Sequence, residues 1–176
     1  MKKFILAALF LGILSGRTAA AEDELFARLS AKYENVRVER VIKADLIVLD
    51  NGKKIRLIGL KAIDKPRPKN VERDAYGFVI EDVSDPTTTL EERASDFADQ
   101  LLSNKKVKIE FDTQSADEDG YTWGYVFLPD GTMANSEILR QGLAQLQIQP
   151  PNTKHAERLR EAYREAHQEK RGIHAE

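Results

Sequence analysis

Residues 36–60 read VRVERVIKADLIVLDNGKKIRLIGL, and this stretch decides the fold class. Its first part alternates apolar and polar side chains, which is the period-two pattern of a β-strand. The apolar run LIVL at 46–49 continues as strand, and DNG at 50–52 supplies a hairpin turn because asparagine and glycine tolerate positive φ. Residues 54–60 are then expected to return antiparallel. The stretch therefore predicts a β-meander at the start of the domain.

The rest of the chain predicts two more strands and three helices. TLEE at 89–92 has the form of a capping box, and the apolar stripe that follows it is typical of a helix packed on a core. Alternation at 107–111 and 121–127 predicts a fourth and a fifth strand. Asn135 is expected to cap a short helix, and an amphipathic helix follows the prolines at 150–151. This order predicts an α+β domain, mainly β, built on a five-stranded barrel of the OB type.

The N-terminus has the composition of a secretory signal peptide. A basic start is followed by an apolar stretch at 4–14 and by three alanines at 19–21. The stretch is shorter than the ~20 residues that a membrane-spanning helix needs, which disfavours the alternative of an uncleaved anchor. We predict a signal peptide at 1–21, a lead-in at 22–35 and the domain at 36–176. The protein is then secreted or periplasmic, without stable membrane insertion after processing.

Composition limits the partners. The chain contains no cysteine, so neither a lipoprotein anchor nor a disulfide framework is available. Loss of Lys2, Lys3 and Arg17 with the signal peptide leaves 24 basic residues (27 − 3) against 29 acidic ones, a net charge of −5. Nucleic-acid binders gain much of their affinity by neutralising phosphates, so this charge argues against a tight nucleic-acid partner. A local basic patch can override the total charge.

Three segments resemble the thermonuclease (staphylococcal nuclease) family. They read VIKADL at 41–46 followed by RL at 56–57, LPDGTM at 128–133 with RQGLA at 140–144, and PPNT at 150–153 with RGI at 171–173. Each segment is modest alone, but their order and spacing together are specific. The resemblance implies an OB-fold barrel with three helices, which is the architecture that the pattern also predicts.

The resemblance also implies a chemistry and a site. Members of the family cleave phosphodiester bonds with a calcium ion, a glutamate that acts on the attacking water, and two arginines. Metal ions and guanidinium groups lower the barrier because charge grows on the phosphoryl oxygens in the transition state. Arg56 matches the first arginine, and Asp45 matches one calcium ligand. The alternatives are a surface ion-pairing arginine and a simple turn aspartate.

Three other positions depart from the family. Where it reads RLxGIDAPE, residues 56–64 read RLIGLKAID, so Lys61 replaces a calcium ligand and Asp64 replaces the catalytic glutamate. An ammonium group repels calcium, and the shorter Asp64 draws its oxygens back by about 1 Å, which can cost ~10²-fold in rate. Tyr121 replaces the second arginine, and such a loss typically costs ~10²–10³-fold. Efficient calcium-dependent cleavage is therefore not expected.

The nucleotide-binding side is altered as well. The stacking aromatics of the family fall near Ile148 and Pro150, which offer no π-face. An acidic run at 117–119 either repels a phosphate chain or belongs to a solvated hairpin. Residues 61–86 form a proline-containing loop that is expected to overhang the site. Its candidate ligand-binding residues, which face a phosphate or belong to a solvated surface, are Lys65, Arg67 and Lys69.

The histidines and Lys61 carry two further expectations. His155, His167 and His174 lie on or after the terminal helix without a convincing metal-ligand spacing, so we expect them to be solvent-exposed. Lys61 is expected within ion-pair reach of Asp45 or Asp64. There it acts as a built-in cation in place of calcium, because partly buried carboxylates need compensating charge.

Two functions from different classes remain open. The first is an exported thermonuclease-like domain with a degenerate site, non-catalytic or strongly impaired, that binds an anionic ligand, weakly a nucleic acid, or a protein. It needs no cofactor. The second is an active endonuclease that hydrolyses DNA or RNA phosphodiester bonds with calcium. A calcium-independent phosphodiesterase has little support. The replaced residues favour the first function, and the extent of the family match keeps the second open.

Overall fold

The computed structural model describes residues 33–63, 76, 89–116 and 120–175. The expected signal peptide, nearly all of the lead-in and most of the 61–86 loop lie outside these residues. The strands are β1 (Val36–Lys43), β2 (Leu46–Leu49), β3 (Lys54–Leu57), β4 (Gly59–Lys61), β5 (Lys106–Glu110), β6 (Thr122–Phe127) and β7 (Gln145–Gln147). The helices are α1 (Leu90–Leu102), α2 (Ala134–Arg140), α3 (Ala156–Gln168) and a 3-10 turn (Gly172–His174). Within the described ranges, no helix has the length and apolar character needed to cross a membrane.

Five strands close into a barrel in the order β1-β2-β3-β6-β5. Neighbouring strands are antiparallel except β3 and β6, which run parallel with Ile55 opposite Thr122 and Leu57 opposite Gly124. β4 leaves the barrel and pairs with β7 in a separate two-stranded sheet. The predicted α+β fold, a five-stranded OB-type barrel with three helices, is confirmed.

Local sequence signals set the ends of two elements as expected. The hairpin turn forms, since the Gly52 N–H donates to the Leu49 carbonyl at 2.8 Å. The capping box also forms: the Glu92 N–H donates to Thr89 Oγ1 at 3.2 Å, and the Thr89 N–H donates to Glu92 Oε2 at 2.9 Å. Helix α1 then packs on β1 through the buried residues Ala94, Ala98 and Leu102.

The return strand is interrupted, and in this respect the expectation of one strand over 54–60 is wrong. Gly59 has φ +84°, and a Cβ at this position would lie 2.3 Å from Leu159 Cδ1. The break at Ile58 therefore needs glycine for its backbone conformation, and the missing Cβ also leaves room for the Leu159 side chain of α3. It turns the chain out of the barrel and directs β4 toward β7.

Asn135 ties this break to the rest of the fold. The expectation that it caps α2 is wrong, because Met133 is the N-cap and Asn135 lies inside the helix, fully buried. Its Oδ1 accepts the Val126 N–H at 2.9 Å, and its Nδ2 donates to the Ile58 carbonyl at 2.9 Å. One side chain thus satisfies two buried backbone groups that would otherwise lack a partner.

The last described residues pack back onto the turn that follows α2. The Ile173 N–H donates to the Gly142 carbonyl at 2.9 Å. The two backbone segments lie very close together. A Cβ on Gly142 would lie 2.1 Å from the Arg171 carbonyl oxygen, and a Cβ on Gly172 would lie 2.0 Å from the Gly142 carbonyl oxygen. The 3-10 turn is therefore part of the folded domain.

Replacement of Asn135 by alanine should destabilise the domain strongly. It leaves the Ile58 carbonyl and the Val126 N–H buried, and each unsatisfied group costs about 1–3 kcal/mol. We expect the free energy of unfolding, measured by urea denaturation, to fall by at least ~2 kcal/mol. Gln145→Ala, on the exposed β7, is the control and should stay within ~0.5 kcal/mol of wild type. Equal stability of Asn135→Ala and wild type would refute this role.

Candidate functional site

Asp45 lies in the turn between β1 and β2, where three parts of the chain meet. Leu46, the next residue, is the register partner of Arg56 on β3. The Asp45 carbonyl accepts the Leu57 N–H at 2.8 Å, and its carboxylate Oδ2 accepts the Ala62 N–H at 3.3 Å. The β1–β2 turn, β3 and the end of β4 therefore converge on this aspartate.

The ring of Tyr121, immediately before β6, contacts two cationic side chains of β3. The Arg56 Cζ lies 4.5 Å from the centre of the Tyr121 ring, and the Lys54 Nζ lies 5.6 Å from it. The two cations are two residues apart, so they leave the strand on the same face. Cation–π contacts of this kind contribute about 0.5–1 kcal/mol each at exposed sites. The ring of Tyr121 therefore holds the Arg56 guanidinium in place.

A depression of about 330 Å³ adjoins this ring. It is lined by Gly52, Lys53, Lys54, Gly120, Tyr121 and Thr122. The sequence does not single out Lys53 and Lys54, because they read as ordinary residues after a turn. The signal that could have found Lys54 is its spacing of two from Arg56 on a strand, which places both charges on one face.

Lys61 does not pair with Asp45, so that part of the built-in-cation hypothesis is wrong. Its side chain is exposed at the end of β4, and its backbone pairs with Gln145. In the described part of the chain, the Asp45 carboxylate is bonded instead by the Ala62 N–H. A fixed backbone donor satisfies the carboxylate without the entropy cost of ordering a long lysine side chain.

The described donors do not fit calcium. Calcium takes about six to eight oxygen ligands. Asp45 offers one carboxylate here, and Lys61 brings a positive charge to the end of the neighbouring strand. Among the described residues, no group of three or more His, Cys, Asp or Glu is arranged to hold a metal ion. The remaining site candidates lie outside those residues: Asp64, Lys65, Arg67 and Lys69.

A polar cluster that the sequence did not predict links β5, β6 and the start of α3. Glu110 Oε1 lies 2.7 Å from Lys154 Nζ and 2.9 Å from His155 Nε2. Asp112 Oδ2 accepts the Tyr125 hydroxyl at 3.0 Å and the Lys154 N–H at 2.9 Å. The ring of His155 meets that of Tyr125 edge-on, with centres 4.6 Å apart. The expectation that His155 is solvent-exposed is therefore wrong.

This cluster continues toward Tyr121. Asn152 is buried; its Oδ1 accepts the Gln114 N–H at 2.8 Å, and its Nδ2 donates to the Gln114 carbonyl at 2.9 Å. The next residue, Ser115, accepts the Trp123 N–H at 2.9 Å. The polar contacts thus fix the segment that runs beside the start of β6, and with it the backbone that carries Tyr121.

The same contacts lower the pKa values of both carboxylates. Burial by itself raises the pKa of Glu110, but hydrogen bonds and charge from Lys154 and His155 outweigh it and lower the pKa below the ordinary 4.5. Burial also opposes the shift at Asp112, where hydrogen bonds from the Lys154 backbone and the Tyr125 hydroxyl lower the pKa below 3.8. Burial and the bond to Asp112 raise the pKa of Tyr125, which keeps its hydroxyl a donor.

Acid should remove the stabilisation that this cluster provides. A carboxylate whose pKa is depressed by folding contributes stability that is present above its unfolded pKa and lost as pH falls through its folded pKa. We expect the free energy of unfolding, measured with urea, to fall less in Glu110→Gln than in wild type when the pH is lowered from about 6 to about 3. Glu157→Gln, on the exposed face of α3, is the control and should follow wild type. The same pH dependence in Glu110→Gln and wild type would contradict the assignment.

Comparisons with known proteins agree with this architecture. Residues 54–176 match the sequence model of a family described as staphylococcal nuclease homologue. The thermonuclease of Staphylococcus hyicus is 33% identical over 147 residues, which cover 82% of this chain and 78% of that relative. The thermonuclease of Staphylococcus intermedius is 31% identical over 143 residues, which cover 80% of this chain and 76% of that relative. The chain therefore belongs to the staphylococcal nuclease homologue family.

Proposed function

We propose that this chain is an exported thermonuclease-like domain with a degenerate catalytic site that acts as a binding module for phosphate-bearing ligands. One observation carries the proposal: the side chains of Arg56 and Lys54 both lie against the ring of Tyr121. In the sequence match, Tyr121 falls at the position of the family's second arginine. Binding an anion needs cations alone, whereas hydrolysis also needs an activated water and stabilisation of the transition-state charge. Export rests on the sequence of residues 1–21.

The binding is weak and salt-sensitive. Lys53, Lys54 and Arg56 supply three cations on the β2–β3 hairpin and β3. Three phosphate contacts to a single strand give a slope of roughly −2 for log K against log salt. The net charge of −5 expected for the mature chain opposes tighter binding.

An active metal-dependent endonuclease with calcium as its cofactor is the second candidate function. What favours it is the name of the relatives, which are thermonucleases and cover 82% and 80% of this chain. The replacement of a ligand by Lys61 and of the arginine by Tyr121 weighs against it. Asp64 keeps a carboxylate at the position of the glutamate.

One assay separates the two functions. Single-stranded DNA and RNA are incubated with the purified chain, with calcium and with a chelator, and both retention and cleavage are followed. We expect retention at low salt, release at physiological salt, and no cleavage beyond the chelator control. Calcium-dependent cleavage that is abolished in Arg56→Ala would refute the binding-module proposal and support the nuclease. An absence of retention at low salt would refute the binding itself.

Charge-matched variants test which cations bind. Lys54→Gln should weaken binding and make the salt slope shallower by roughly 0.7, the loss of one phosphate contact. Tyr121→Leu should weaken binding with a smaller change in slope, because it removes the ring and not a charge. Lys106→Gln is the control. Lys106 lies on β5 as the backbone register partner of Arg37, at the end of β1 that is distant from Asp45. Equal losses in Lys54→Gln and Lys106→Gln would mean that only total charge matters.

Calcium should not stabilise the wild-type domain. The described donors do not fit the ion, so we expect its melting temperature to be the same with calcium and with chelator. Lys61→Asp adds a carboxylate beside the Asp45 turn and should introduce a calcium-dependent rise in melting temperature. Lys61→Ala, which removes the charge and adds no oxygen, is the control. A calcium-dependent rise in wild type would contradict the prediction.

A further inference from the structure

Two histidines that are separate in sequence meet at the C-terminal end of the domain. His167 lies in the last turn of α3, and His174 lies in the 3-10 turn that packs back on the molecule. Their ring centres are 5.1 Å apart with the planes at 67°. Tyr163, one helical turn before His167, meets the His174 ring edge-on at 4.8 Å. The chain reversal after α3 creates this pair, which is why the spacing in sequence gave no signal.

His174 also has an unexplained polar atom. Its Nε2 is buried and has no hydrogen-bond partner. Buried polar side-chain atoms are nearly always bonded, and an exception calls for a reason such as a bound water or ion. The expectation that all three histidines are solvent-exposed is wrong for His174, which is half-buried, and right for His167.

We propose that His167 and His174 together bind one divalent transition-metal cation of the zinc and copper class. Imidazole nitrogen is a preferred ligand of these ions. Two imidazoles that share a tetrahedral zinc, with Zn–N about 2.0–2.1 Å, place their ring centres roughly 5 Å apart. The observed separation of 5.1 Å, in an edge-on contact, leaves the two rings within the distance that a shared ion requires. The described residues contain no group of three protein ligands, so the proposed ion takes its remaining ligands from water.

The ion has a structural consequence that distinguishes this site from the one around Arg56. It links α3 to the returning C-terminal turn, which is also held by the Ile173–Gly142 hydrogen bond and by the ion pairs of Arg171 with Glu165 and Glu169. A ligand that binds the folded chain and not the unfolded one stabilises the fold by mass action. Zinc therefore fastens the C-terminal turn to α3 and raises the melting temperature, independently of any phosphate-bearing ligand.

The test is a titration of the purified chain, free of any polyhistidine tag, with zinc chloride. Isothermal calorimetry and thermal unfolding measure binding and stabilisation. Loss of even an outer partner of a metal site costs about 10–100-fold in affinity, so His167→Gln and His174→Phe should each weaken zinc binding at least ~10-fold. His174→Phe keeps a ring against Tyr163. Gln168→Ala, on the exposed surface of α3, is the control and should bind zinc as wild type does.

Two results would overturn the proposal. The first is an absence of zinc binding to wild type. The second is unchanged binding in both histidine variants, which would place the ion elsewhere, for example at His155. If His174→Phe does not fold, His167→Gln still decides, because His167 is exposed. Zinc-dependent changes in the imidazole NMR signals of both His167 and His174 are expected as well, and no change in either would count against the site.

Discussion

At the junction of β3 and β4 the backbone leaves the barrel. The buried Ile58 carbonyl at this junction and the buried Val126 N–H on β6 both need a hydrogen-bond partner from outside the sheet. Asn135 provides it, donating to Ile58 and accepting from Val126, each at 2.9 Å. Because of this bridge, the chain can turn at Gly59 and run out to β4 without unsatisfied polar groups in the core. The Ala62 N–H that bonds Asp45 and the exposed position of Lys61 both follow from the path of β4.

The region around Arg56 concentrates positive charge that attracts an anion. A guanidinium held against Tyr121 is positioned, and Lys54 adds charge from the same strand face. A second guanidinium would stabilise charge that grows during reaction, whereas a phenol ring stabilises the cation that is already there. In the proposed binding module, Tyr121 therefore positions Arg56.

How far the sequence predicted the structure depended on the range of the interactions. The hairpin at Gly52 and the capping box at Thr89 are local, and the periodic patterns located the barrel strands and the helices. The Asn135 bridge, the Glu110–His155 contact and the meeting of His167 with His174 depend on residues brought together by the tertiary fold. No local pattern encodes them. The prediction of a Lys61–Asp45 ion pair was wrong for a related reason. Sequence matching located the two charges, but it could not show that the Ala62 N–H bonds the Asp45 carboxylate instead.

The parallel pairing of β3 with β6 has a consequence for the kinetics of folding. Ile55 pairs with Thr122, and Asn135 bonds Ile58 across 77 residues of chain. Neither contact can form until most of the polypeptide is present. Contacts of such long range are slow to form because the loop between them must first be closed. The N-terminal hairpin can form early, but the barrel closes late. A chain that delays closure in this way stays unfolded until its C-terminal half is available to pair with its N-terminal half.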